Sequence, residues 1–164
     1  MIELVHFPNN QIFILRTISI LYLIIEYYDL FFNYMTIQPY GMITGNNEMA
    51  QRTRDFNWSE TQVGSPEQWP ESLRTIINIL LNSKFPMFLW WGEDLIQFYN
   101  DAYRPSLGNN GKHPAALGQK GEDCWPEIWP VIKPLIDQVL AGGEATWSED
   151  QLIPIYRNGK LEDV

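Results

Sequence analysis

A break in composition near residue 48 divides this sequence into two parts with different folding prospects. All seven Trp residues fall after it, at positions 58, 69, 90, 91, 125, 129 and 147. Residues 1–48 are rich in Ile, Leu, Phe and Tyr instead, with charges only at Glu3, Arg16, Glu26, Asp29 and Glu48. The densest apolar window, residues 12–32, invites a membrane-spanning reading. Its longest uncharged stretch, Thr17–Ile25, has nine residues, against the roughly 20 that a spanning helix needs. Arg16, Glu26 and Asp29 would each add about 2–3 kcal/mol to insertion at the bilayer centre. The first fifteen residues hold no Lys or Arg, and no small-residue cleavage pattern follows the apolar run. A secretory signal is therefore not indicated either. Three options stay open for residues 1–48: a membrane-proximal helix, a packed N-terminal helix, or sequence upstream of a start at Met49. The segment Met49-Ala50-Gln51-Arg52-Thr53-Arg54-Asp55-Phe56 has the look of an ordinary cytosolic N-terminus.

Bulk properties exclude several function classes. A net charge of −9 over 164 residues, with scattered Lys and Arg, opposes wrapping a phosphate backbone, which needs clustered cations. No nucleic-acid partner is expected. A single cysteine, Cys124, excludes an intramolecular disulfide and any multi-cysteine zinc or iron–sulfur site. With only His6 and His113 present, no metal-ligand cluster stands out. Cys124 reads as a small buried hydrophobe.

Periodicity after residue 48 gives an order of elements. Residues 55–64 read as a leading loop. Ser65-Pro66-Glu67-Gln68 has a capping-box arrangement, and Leu73, Ile76, Ile77, Leu80 and Leu81 recur at helical spacing over Glu71–Asn82. Phe85–Trp91 and Leu95–Tyr99 read as strands joined at Gly92-Glu93-Asp94. Short helical pieces are expected at Ala102–Leu107, His113–Leu117 and Asp123–Trp129, then a longer helix over Val131–Leu140. Ala145–Tyr156 reads as a strand, Arg157-Asn158-Gly159-Lys160 as a turn, and Leu161–Val164 as the start of another strand. The expectation is an α+β fold with helices over one face of an antiparallel sheet. The final strand would be short and without a following partner. In these terms the chain divides into an apolar extension (1–48), a leading loop with an amphipathic helix (49–84) and an incomplete domain (85–164).

Residues 49–164 resemble the PAS sensory domains near the N-terminus of bacterial hybrid sensor histidine kinases. The resemblance rests on Phe56-Asn57-Trp58-Ser59-Glu60-Thr61, Gln68-Trp69-Pro70-Glu71-Ser72-Leu73-Arg74-Thr75 and Phe85-Pro86-Met87-Phe88-Leu89-Trp90-Trp91-Gly92. It continues through Phe98-Tyr99-Asn100-Asp101-Ala102-Tyr103, Lys112-His113-Pro114-Ala115-Ala116-Leu117-Gly118, Trp125-Pro126-Glu127-Ile128-Trp129 and Gly143-Glu144-Ala145-Thr146-Trp147. It implies a PAS-like five-stranded antiparallel sheet with short helices on one face. Against that pattern the chain is C-terminally truncated, lacking the rest of the fourth strand and all of the fifth. It also implies a sensory part of a two-component histidine kinase, acting on downstream kinase domains and pairing as a homodimer. The implied location is cytoplasmic, with membrane association through residues 12–32 as the alternative.

Chemistry is sparse. The resemblance raises haem and flavin, yet Val131–Leu140 carries no His, and Gly121-Glu122-Asp123-Cys124-Trp125-Pro126 lacks the flavin-photosensor motif. No cofactor is expected. Phe88, Trp90, Phe98, Asn100, Tyr103, Trp125, Trp129 and Trp147 form a candidate pocket for a small apolar or planar ligand. The competing role for the aromatic rings is core filling, and for Asn100 and Asp101 a helix cap. Glu122, Asp123 and Glu127 read as solvated acids at a helix start. No nucleophile, phosphate-loop or metalloprotease motif occurs, so no catalytic activity is expected of these 164 residues. The alternative to sensing is a ligand-free protein-interaction module.

Overall fold

The computed structural model describes residues 2–7, 11–16, 43–108, 111–148 and 154–163. The fold is α+β. Its main sheet has five antiparallel strands: β1 (Ile2–Phe7), β2 (Gln11–Arg16), β3 (Met87–Trp91), β4 (Ile96–Tyr99) and β5 (Thr146–Ser148), in the order β4-β3-β2-β1-β5. A separate two-stranded ribbon joins β6 (Pro154–Arg157) to β7 (Lys160–Asp163). The helices are α1 (Glu48–Asp55), α2 (Glu71–Asn82), α3 (Arg104–Leu107), α4 (Gly121–Cys124) and α5 (Trp129–Leu140).

The largest departure from expectation concerns residues 1–48, which were expected to stand outside the sheet. A hairpin from this segment lies at the centre of the sheet, with β2 against β3 and β1 against β5. Val5 pairs with Phe13 within the hairpin, Phe13 with Leu89, and Glu3 with Trp147. The sequence signal was present: β-branched and aromatic residues flank the turn-type residues Pro8-Asn9-Asn10. The boundary at 48 also runs through a structured element, because Asn47 caps α1 by accepting from the Ala50 amide at 2.8 Å. Most of the apolar window 12–32 lies outside the described residues. Among those that are described, no helix is long and apolar enough to cross a membrane.

The pair β3–β4 positions the rest because it is buried on both faces. Successive side chains alternate between faces, and the register sets Phe88 beside Tyr99, Trp90 beside Gln97 and Leu89 beside Phe98. On one face Phe98 stacks on Trp58 (centroids 4.5 Å apart, 19° between planes) and meets Trp69 edge-on at 5.7 Å. The same side is covered by α2, whose Leu73, Ile77, Leu80 and Leu81 are buried as the helical spacing predicts. On the other face, Trp90 meets Phe88 and Trp129 edge-on at 4.9 and 5.9 Å, and α5 runs over β1 and β2. Two-sided burial explains why Met87–Trp90 reads as a continuous apolar run rather than an alternating one, while Phe85, at the start of the expected strand, lies outside β3 and is exposed.

Local chemistry shifts several boundaries. The capping box at Ser65 does not form: its side chain makes no cap bond, and Pro66–Gln68 is a single 3₁₀ turn. Pro70 is the cause. A proline disfavours helical geometry in the residue before it, and Trp69 is extended, so α2 starts only at Glu71. His113–Leu117 makes turns rather than a helix, and the expected piece at Asp123–Trp129 is split between α4 and the start of α5. The expected strand Ala145–Tyr156 is also split, into β5 and β6 in different sheets, with residues 149–153 outside the described residues. The turn at Asn158-Gly159 is as expected, both residues having positive φ (55° and 77°) as a two-residue hairpin turn requires. It pairs β7 with β6, not with the main sheet.

Gly118 is where the leading segment locks onto the body. Its φ is +76°, and a Cβ added there would lie 2.3 Å from the Phe56 ring. Gly118→Ala is expected to lower unfolding stability by about 2–3 kcal/mol, from left-handed strain plus overpacking. Combined with Phe56→Ala, the overpacking part should disappear in a double-mutant cycle read by urea denaturation.

Candidate functional site

Asn100, fully buried at the end of β4, holds more partners than any other side chain of the candidate set. Its Oδ1 accepts from the Met87 and Tyr103 amides at 3.1 and 3.0 Å. Its Nδ2 donates to the carbonyls of Phe85, Leu80 and Ser83 at 2.7, 3.1 and 3.3 Å. The capping role weighed against ligand binding is thus present, and it extends to the C-terminal end of α2 and the start of β3. With both ends of the amide engaged by the fold, Asn100 is committed to structure. Asp101 accepts from the Met49 amide at 3.1 Å and pairs with Arg104 at the same distance.

The aromatic candidates do not share one chamber. Phe88, Trp90, Tyr103, Trp125 and Trp129 lie on one side of the sheet, linked by Phe88–Tyr103 at 4.9 Å and by the Trp90 contacts above. Phe98 belongs to the opposite face, with Trp58 and Trp69. Trp147 stands in β5, and its side chain lies outside the described residues. Phe88, Trp90, Phe98 and Trp125 are buried, with packing partners where a ligand would have to sit. Two hollows of about 320 and 440 Å³ lie elsewhere. The first is lined by Asn46, Asn82, Lys84 and Asp101 among others and the second by the exposed side of α1, so neither includes a member of the aromatic set.

Sequence reasoning missed the polar centre of this layer. Gln97 has no exposed surface, and its Oε1 accepts from the indole N–H of Trp125 at 2.6 Å and of Trp90 at 3.2 Å. The signal was a lone amide inside the apolar run Leu95–Tyr99. Gly121 allows the rings to close, since a Cβ there would come within 2.9 Å of Trp129 and 3.1 Å of the Trp90 indole nitrogen. Cys124 is buried beside them and its thiol is pushed up to about 12, chiefly by desolvation. At neutral pH it is an unreactive thiol, in keeping with the hydrophobe expected.

Glu127 corrects another expectation. It is no solvated helix-start acid: its carboxylate pairs with Lys112 at 3.1 Å and accepts from the Tyr156 amide at 2.8 Å. Lys112 in turn lies over the Trp125 ring and donates to the Cys124 carbonyl. The pair therefore fastens the β6–β7 ribbon to the α4 region. A second polar cluster joins Glu48 with Arg52, Arg104 and His113. The Arg52 hydrogen bond is the first of the influences that lower the Glu48 pKa. Burial shifts the Tyr99 phenol strongly upward, so it stays protonated. Among the described residues, no group of three or more His, Cys, Asp and Glu side chains is placed to hold a metal ion.

No protein-family model matches this chain, and no curated protein or solved structure is significantly similar to it.

Asn100→Ala removes five hydrogen bonds to the backbone, among them the buried one to the Met87 amide, and a buried group left unpaired costs about 1–3 kcal/mol. The expected loss is about 3–5 kcal/mol in urea denaturation. Cys124 in the folded protein is expected to react with an aromatic disulfide reagent orders of magnitude more slowly than in urea, at about pH 8.

Proposed function

We propose that the chain is a non-catalytic sensory module of PAS type, the input part of a cytoplasmic sensor histidine kinase in two-component signalling. The observation that supports this reading is a five-stranded antiparallel sheet in which β3 lies within the matched fragment Phe85–Gly92 and β4 runs into the matched fragment Phe98–Tyr103. The strand count of the family is reached here with the N-terminal hairpin. In this reading a change at the aromatic layer or the sheet is relayed to downstream kinase domains, which supply the phosphoacceptor and ATP-binding functions. Homodimerisation belongs to the same proposal.

One observation favours a second reading, a ligand-free interaction module. The rings of Phe88, Trp90 and Trp129 are packed against one another, and the indoles of Trp90 and Trp125 are satisfied by Gln97. A ligand would have to displace this layer, whereas a partner protein need only engage the outer surface. Native mass spectrometry of the purified chain separates the two. A stoichiometric co-purified small molecule supports sensing by ligand, and a bare mass with a dimer peak supports interaction. Bare monomers alone, with no ligand uptake from a small-aromatic library, would count against both.

A further inference from the structure

We propose that His113 is a proton-sensitive latch that holds the first turn of α1 against the body and loosens it as pH falls. The imidazole bridges two elements far apart in sequence. Its Nδ1 lies 2.9 Å from the Tyr99 hydroxyl of β4, and its Nε2 lies 3.3 Å from Glu48 Oε1 at the start of α1. The side chain is only 15% exposed.

The partners define the tautomer. A carboxylate only accepts, so Nε2 carries the hydrogen and donates to Glu48, leaving Nδ1 to accept from the Tyr99 O–H. A second proton must therefore land on Nδ1, the one ring position already receiving a hydrogen bond. Tyr99 would then have to accept from Nδ1 and turn its own hydrogen toward the Pro114 carbonyl, 3.4 Å away. That is a longer bond than the one given up.

The surrounding charges act on the same event. Glu48 and Arg52 act on the imidazole from α1, Tyr99 from β4, and Arg104 from the start of α3. Glu48 is shared by Arg52, Arg104 and His113, while Asp101 is engaged by Arg104 and by the Met49 amide. An imidazolium here adds a third cation to one carboxylate. Burial, followed by Arg104, lowers the His113 pKa against the opposing pull of Glu48. The folded-state value thus lies below the unfolded one. The stability His113 contributes is present above about pH 6.5, the ordinary histidine value, and is lost as pH falls through the folded-state value. Glu48, itself shifted downward, stays ionised through this range. The latch operates whether or not the chain is a sensor, because it depends only on how α1 meets the body.

The test is amide hydrogen exchange by NMR at Met49, Ala50 and Gln51, corrected for intrinsic rates, between about pH 7.5 and about pH 5. Protection should fall several-fold with acid in the wild-type chain. It should hold in His113→Gln, whose neutral amide accepts from Tyr99 and donates to Glu48 at any pH. The His113 ring shifts in the wild type should titrate with the same midpoint as the change in α1. Unchanged protection in the wild type, an equal acid loss in His113→Gln, or a ring midpoint unrelated to the α1 change would each overturn the latch. Because the ring titration uses the wild-type chain, it decides the question even if the variant folds poorly.

Discussion

The side-chain amide of Asn100 is the constraint on which the rest of the structure depends. It lies where three chain segments meet: the exit from α2, the entry to β3, and the turn that leaves β4. Each segment brings backbone donors or acceptors to this point, and two of them, the Tyr103 amide and the Leu80 carbonyl, also bond within their own turns, to the Asn100 carbonyl and the Ser83 amide. A buried unpaired peptide group costs about 1–3 kcal/mol, so the junction would be untenable without a side chain carrying both donor and acceptor. Asn100 supplies both, accepting from Met87 and Tyr103 and donating to Leu80, Ser83 and Phe85. It thereby fixes how α2 sits against β3 and β4.

That placement gives the central strands two buried faces and gives the molecule two aromatic layers. Trp58, Trp69 and Phe98 form one, with the leading segment as its cover. Phe88, Trp90, Trp125 and Trp129 form the other, organised by Gln97. The leading segment is therefore part of the fold. Arg54 reinforces it by donating to the carbonyls of Ile43 and Gly45, as does Thr44, whose amide and hydroxyl both donate to Asn78 Oδ1. The β1–β2 hairpin extends the sheet to β5, joining segments that are far apart in the chain.

What was legible in the sequence follows from the range of the interactions. The bounds of α2 were readable because its apolar spacing and Pro70 act within one helix. The turn at Asn158-Gly159 was readable because positive φ is a local demand. The assignment of strands to sheets was not. Nothing in Leu161–Asp163 tells whether it pairs with β6 or with the main sheet, and nothing in Ile2–Arg16 announces β3 as a neighbour. The residues of the candidate pocket are divided between the two faces of the sheet for a simple reason. Phe88 and Phe98 look alike in composition, but the pairing register of β3 and β4 sends them to opposite faces. Gln97 and Lys112 were passed over and Glu127 was read as a solvated acid, because their roles arise from partners distant in sequence.

The central claim is that the Asn100 junction belongs to the cooperative core. Native-state hydrogen exchange across a series of low urea concentrations tests it at the amides of Met87, Asn100 and Tyr103. All three are expected to exchange only through global unfolding, with the same free energy and urea dependence as the innermost amides of β3. Exchange of these amides through a smaller, urea-insensitive opening, while β3 stays protected, would contradict it.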